Sequence, residues 1–334
     1  MAAPPPFDAL ASADFLVPDR DAAVAMVQQV LGLGEPNPRW SHGGPGWGHR
    51  VTFCRAHPSF AQSPTLIELI EPTDVDTHRP LGEVVPNVAG LAELQGNRPL
   101  KTHGAPVASS SVEELIERVR VRGIRHWVQP GTDAYAFERL WIGITAEQLA
   151  GYRPEADGGL MLEVVPTATL GLPPEAYEPP TEIGNDTAHD VAGAMVRTAA
   201  RVFFVDDLER SLDALGDLCA WEPERGPETG ANGSRRAVLG FRLARSARIE
   251  LLTPARESDD GRFLARWGAG VGPVRIAVHD LDTLAADLRA RGTPFREVRT
   301  GFEEPETVLR VDPAATPACC FEFAAIGAVQ PAKP

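Results

Sequence analysis

Lysine is all but missing from this 334-residue chain: it stands only at Lys101 and Lys333, and arginine carries the remaining positive charge. That bias is one of GC-rich codons rather than of function. Positive charge of either kind is in deficit, since 46 acidic side chains face 32 basic ones and leave a net charge of −14. Such a surface repels phosphate backbones and anionic bilayers, so neither a nucleic-acid nor a membrane partner is expected. Cysteine is scarce too. Cys54, Cys219, Cys319 and Cys320 show no CxxC spacing, and the adjacent pair is badly placed to bridge itself, which fits a reduced, cytoplasmic setting. No run approaches the roughly 18 apolar residues of a membrane helix. Residues 1–10 have neither the basic region nor the apolar stretch of a secretion signal. A phosphate loop, a dinucleotide fingerprint and a Ser/His/Asp elbow are also absent.

What is present is a globular composition, 43% hydrophobic and 23% charged, on a chain long enough for two domains. Four apolar runs each carry a glutamate: Leu66-Ile67-Glu68-Leu69-Ile70, Leu160-Met161-Leu162-Glu163-Val164-Val165, Arg248-Ile249-Glu250-Leu251-Leu252 and Cys320-Phe321-Glu322-Phe323. A carboxylate among aliphatics must be paired, protonated or metal-bound, because its desolvation is otherwise too costly. Metal, arginine and a wet cavity wall are the open partners. Recurrence in four segments points to a repeated unit.

The periodicities agree. A strand at 13–17, a cap at Asp19 and a helix over 22–33 open the first unit. Strands at 48–56 and 65–70 continue it. The second unit has a capping-box pattern at Ser111–Glu114, a helix ending at Gly123, and strands near 125–128, 140–144 and 159–165. Residues 167–197 hold Pro173, Pro174, Pro179 and Pro180 without apolar periodicity and read as a linker. The pattern then restarts with a strand at 201–205, and again with a strand at 274–278 and a helix over 280–291. The expected fold is α+β: four βαβββ modules in two pairs, each pair a cupped mixed sheet with helices outside. The expected domains are 8–166 and 198–327, joined by the linker 167–197.

This pattern resembles the vicinal oxygen chelate superfamily, which includes glyoxalase I, methylmalonyl-CoA epimerase, extradiol dioxygenases and bleomycin-resistance proteins. The resemblance rests on Val17-Pro18-Asp19-Arg20-Asp21-Ala22-Ala23, on Ile67–Pro72 and Ile249–Pro254, on Val274–Gly292, and on the closing strands 157–163 and 312–323. It covers most of the chain outside the linker. It implies a divalent metal held by residues from the first strand of each module, usually histidine, and by glutamates on later strands. In the N-terminal pair the carry-over gives Glu68 and Glu163 as carboxylates and His103 as the imidazole. The remaining first-strand position falls at Ser12, a poor ligand. Asp14, on the same face of the strand, is its expected substitute. The set Asp14, Glu68, His103 and Glu163 suits Fe, Mn, Co, Ni or Zn. In the C-terminal pair the histidine positions are Ala200 and Pro273, so Glu250 and Glu322 are expected to be residual cavity acids. Their replacement by glutamine is expected to relieve buried charge.

The resemblance therefore implies a metal-dependent lyase or isomerase acting on a small oxygenated substrate, with Glu163 or Glu68 shuttling a proton. The alternatives are a metal-free small-molecule binding or resistance protein and an extradiol-type dioxygenase. A monomer or homodimer is expected. The loop Ser41–His49, with two histidines, is read as a surface turn or cavity rim. Tyr135, Phe137 and Trp141 are read as core or pocket wall.

Overall fold

The computed structural model describes residues 5–34, 36, 41–75, 88–131, 137–143, 160–177 and 195–329. Tyr135 and most of the expected linker lie outside them. The N-terminal half contains β1 (Ala9–Leu10), β2 (Ser12–Leu16), α1 (Arg20–Leu31), β3 (His42–Gly43), β4 (Trp47–Cys54) and β5 (Leu66–Val75). It continues with α2 (Val88–Leu94), β6 (Ala105–Ser109), α3 (Val112–Val121), β7 (His126–Gln129), β8 (Arg139–Ile142) and β9 (Leu162–Pro166). Single 3-10 turns at Thr167–Leu170 and Pro174–Tyr177 follow. The C-terminal half contains β10 (Met195–Phe204), α4 (Leu208–Cys219), β11 (Arg225–Thr229), β12 (Arg235–Leu239), β13 (Arg248–Thr253) and α5 (Asp259–Trp267). It closes with β14 (Gly270–Val278), α6 (Leu281–Ala290), β15 (Phe295–Arg299), β16 (Thr307–Val311) and β17 (Phe321–Ala325). Met195, inside the segment read as linker, already belongs to β10.

The two halves repeat one strand order. The C-terminal sheet runs β11-β12-β13-β10-β14-β17-β16-β15. The N-terminal half divides the same order between a β2-β5-β4-β3 sheet and a β1-β6-β9-β8-β7 sheet. The divided strand is β1–β2: its first part pairs with β6 and its second with β5, so together they occupy the place of β10. Helices α1, α4 and α6 start in the same way, with Asp19, Asp207 and Asp280 accepting from Ala22, Arg210 and Thr283 backbone N–H groups. The Ser111 capping box does not form. Its backbone lies at ψ 44° rather than in the extended region, and its side chain makes no cap hydrogen bond.

One hydrophobic core serves both halves. Phe15, Ile67, Leu69 and Val107 pack in the same cluster as Phe203, Leu251, Phe321 and Phe323. Phe7 meets Trp221 edge-on at 4.8 Å, and Phe15 meets Phe321 at 5.5 Å. Buried hydrogen bonds cross the same boundary, from Leu10 N–H to Ser246 Oγ at 2.8 Å and from Ala247 N–H to Thr65 Oγ1 at 2.9 Å. Among the described residues no helix is long and apolar enough to cross a membrane.

Candidate functional site

Strand pairing puts the four glutamates at equivalent places. Each lies on the fourth strand of its module, which runs parallel to the module's first strand. Opposite them stand Asp14 for Glu68, Pro106 for Glu163, Val202 for Glu250 and Arg275 for Glu322. All four glutamates are buried. Two residues before each of those partners lies the first-strand position, occupied by Ser12, Gly104, Ala200 and Pro273. His103 is therefore one residue upstream of the expected register, and Gly104 holds the equivalent place. Gly104 has φ 157°, and a Cβ there would stand 3.0 Å from the Met161 carbonyl oxygen. A side chain at that position is strained, and the imidazole enters the cup from the preceding residue.

The N-terminal cup encloses a cavity of about 380 Å³. Its apolar wall comes from alternate residues of β4 and β5, including Trp47, Val51, Phe53, Leu66 and Ile70, with Phe60, Phe137 and Leu170 added from loops. Its polar floor is Ser12, Glu68, His103, Arg139 and Glu163. His103 Nδ1 donates to Asp14 Oδ2 at 2.9 Å, and its Nε2 donates to Glu163 Oε2 at 3.1 Å. Arg139 Nη1 donates to the other Glu163 oxygen at 3.0 Å. Asp14 also accepts from the His103 backbone N–H at 2.7 Å and from Thr102 Oγ1 at 2.6 Å. Ser12 Oγ donates to Glu68 Oε2 at 2.5 Å. The loop that carries His103 is tied to the end of α2, where Gln95 bonds both the N–H and the carbonyl of Thr102.

Charge follows from this wiring. Burial alone would push the His103 imidazole down, but the Asp14 and Glu163 carboxylates overcome it and hold its pKa well above 6.5, which favours the imidazolium. Burial would raise Glu163, but the hydrogen bond from His103 and the charge of Arg139 keep it below the ordinary carboxylate range. Burial raises Asp14 as well, and the His103 charge reverses that. Glu68 is different. Its largest influence is burial, which neither His103 nor the Ser12 hydroxyl offsets, and its pKa is pushed up to about 7. His49, on the cavity wall, is pushed down to about 3 by burial and by His42, and is neutral.

Asp14, Glu68, His103 and Glu163 thus come together in one cup, but not as a ligand set. Among the described residues no group of three or more His, Cys, Asp or Glu side chains could hold a metal ion. The donor chemistry explains why. Both His103 nitrogens are engaged by carboxylates, both Glu163 oxygens are engaged by cations, and Asp14 orients His103 without lining the cavity. An imidazolium and a guanidinium already supply the charge a divalent ion would bring. The residues, so arranged, do not fit the metal that the resemblance implies. Arg139 was not among the residues singled out from the sequence, although an arginine heading Leu140-Trp141-Ile142 is as exceptional as a glutamate in an apolar run.

The C-terminal cup is closed by arginine. Arg275 donates to Glu250 at 2.6 Å and to Glu322 at 3.0 Å, and Arg310 bridges Glu322 at 2.6 Å to Asp260 at 2.6 Å. Only about 100 Å³ of cavity remains beside this lattice. The charges of Arg310 and Arg275 outweigh burial and keep Glu322 below its ordinary pKa. The expectation that glutamine at 250 or 322 relieves buried charge is therefore reversed, because either change takes a carboxylate partner from the buried Arg275.

No family model and no curated protein matches the chain. Solved structures do. A mutant 4-hydroxymandelate synthase from Streptomyces coelicolor superposes on 96% of this chain and 93% of its own, with TM-score 0.59 and 14% identity. A catechol 2,3-dioxygenase covers 97% of this chain and 90% of its own, with TM-score 0.55 and 13% identity. Methylmalonyl-CoA epimerase from Mycobacterium tuberculosis covers 41% of this chain and 93% of its own at 20% identity, with TM-score 0.36. The chain shares the fold of the first two of these structures, with four modules in two pairs.

Proposed function

We propose that the N-terminal cup binds a small, largely apolar molecule bearing an oxygen function and moves a proton on it, with Glu68 as the acid–base group. The observation that carries this is a buried carboxyl on the floor of a largely apolar cavity, with its pKa at about 7. A group so poised is populated in both protonation states near neutrality, the condition under which general acid–base catalysis is most effective. The ionised carboxylate would take a proton from the carbon next to a carbonyl. The electron pair would pass to the carbonyl oxygen as an enolate, and the protonated carboxyl would return the proton to the same carbon. Arg139 supplies fixed positive charge on the same cavity wall toward such an oxyanion. This is isomerase-type chemistry, or a lyase if a bond beside the enolate breaks. No step runs through a metal.

The test uses phenylacetone and 2-tetralone in D2O. The wild-type protein is expected to exchange their α-hydrogens for deuterium, and Glu68→Gln is expected to bind them without exchange. The predominantly apolar wall favours a second reading, a metal-free binding or resistance protein. Binding of these ketones with no exchange above the buffer rate by the wild type would establish that reading in place of the first.

A further inference from the structure

The C-terminal cup has no open site of comparable size, yet its half sends one side chain toward the N-terminal floor. Arg201, on β10, is 1% exposed. Its Nη2 donates to the backbone carbonyl of Asp14 at 2.6 Å, and its Nη1 donates to the Gly272 carbonyl at 3.1 Å. The guanidinium lies 4.4 Å from the ring centroid of Phe15, the residue after Asp14. Nε makes no hydrogen bond. Four other buried arginines touch carboxylates: Arg139 on Glu163, Arg236 on Glu228, Arg275 on Glu250, Arg310 on Glu322. Arg201 reaches only carbonyls and the rings of Phe15 and Phe203. A cation held that way is costly to bury, and its own pKa is pushed down to about 10, chiefly by burial. The titratable groups around it are Asp14, Cys319, Cys320 and Arg98, of which Asp14 is the one carboxylate.

We infer that Arg201 is a positioning residue for the N-terminal site: from the C-terminal half it fixes Asp14, and through Asp14 the His103 ring. Asp14 is clamped at three atoms. Arg201 holds its carbonyl oxygen, Thr102 holds Oδ1, and His103 holds Oδ2 through both its backbone N–H and Nδ1. Because these are short bonds to one residue in a close-packed strand, releasing one clamp shifts the others. The site is thereby incomplete without the second half, which accounts for a shared core around a cup that has lost its own opening. This inference rests on the reading of the N-terminal cup as the working site.

The experiment is run on the full chain with nitrogen-15-labelled histidine, comparing wild type, Arg201→Met and Arg201→Lys. Methionine keeps much of the length and removes the charge and both donors. The expected result is a folded Arg201→Met whose His103 imidazole N–H signals move, and whose affinity for the fluorescent probe 2-naphthol falls about tenfold, the lower end of what losing an orienting partner costs. Arg201→Lys, which can still donate to the Asp14 carbonyl, is expected to recover part of both. The imidazole signals need no ligand, so they test Arg201 even where 2-naphthol fails to bind and the cup reading falls. If Arg201→Met does not fold, Arg201→Leu, which also removes the charge and both donors, reads the same signals. Folded Arg201→Met or Arg201→Leu protein with His103 signals identical to wild type would overturn the inference.

Discussion

In the N-terminal cup, two buried glutamates border a cavity of about 380 Å³; in the C-terminal cup, their counterparts are locked between arginines beside about 100 Å³. Both cups descend from one strand order and one glutamate register, and both must neutralise carboxylates in a dry sheet. The difference lies in where the cations enter. In the C-terminal cup Arg275 stands on β14 directly opposite Glu322 and fills the space itself. In the N-terminal cup the corresponding residue, Pro106, carries no charge, and Arg139 and His103 neutralise Glu163 from the floor. Glu68 is left with a hydroxyl and no cation in hydrogen-bond contact. A shared fold thus yields one half that is filled and one that is open, and the unpaired acid lies in the open half.

The largest expected effect comes from the filled half. Glu322→Gln leaves Arg275 and Arg310 short of a buried partner and should lower unfolding free energy by about 3–5 kcal/mol, read by urea denaturation. Unchanged stability would mean that the lattice is wet rather than structural.

Glu68→Gln should act in the opposite direction. The folded pKa of Glu68, about 7, lies above its ordinary 4.5. Its protonated form therefore favours folding: the contribution is complete below pH 4.5 and is lost as pH rises through 7. Relative to wild type, the variant should gain stability across that window, on the order of 3 kcal/mol by pH 8. A flat difference between the two denaturation profiles would show that Glu68 titrates normally. In the exchange assay the same variant should lose about 10²–10⁴ in rate, while Glu250→Gln, if it remains folded, should lose none.

Much of this contrast was legible before any coordinates. Period-2 and period-3.6 patterns, an aspartate cap at Asp19 and four repeated glutamates define four modules, because each is a local signal. What escaped depends on pairing between distant strands. The break at Ala11 that splits β1 from β2, the one-residue offset that puts Gly104 rather than His103 in register, and the anchoring of Thr102 by Gln95 leave no local trace. One signal was available and passed over. Arg275 in Val274-Arg275-Ile276-Ala277-Val278, and Arg310 between Leu309 and Val311, break apolar runs as plainly as the glutamates do. Reading acids and arginines together would have paired them.

A smaller effect concerns the division of the chain. Proteolysis is expected to cut first within 167–197, where prolines cluster without apolar periodicity. The nicked halves should nonetheless co-elute on gel filtration, because one core and the Ser246 and Thr65 hydrogen bonds join them. Halves that separate would contradict the shared core.

The central claim is that His103 serves the N-terminal cup as a cation, in the place a divalent ion would take. The direct measurement is the nitrogen-15 spectrum of the His103 ring from pH 6 to 8, before and after equimolar Zn(II), Mn(II) or Fe(II) under anaerobic conditions. An imidazolium with both nitrogens protonated is predicted from its raised pKa, and it should be indifferent to added metal. A neutral ring whose Nε2 responds stoichiometrically to the metal, with the response lost in Glu163→Gln, would contradict the account and restore a metal centre to this cup.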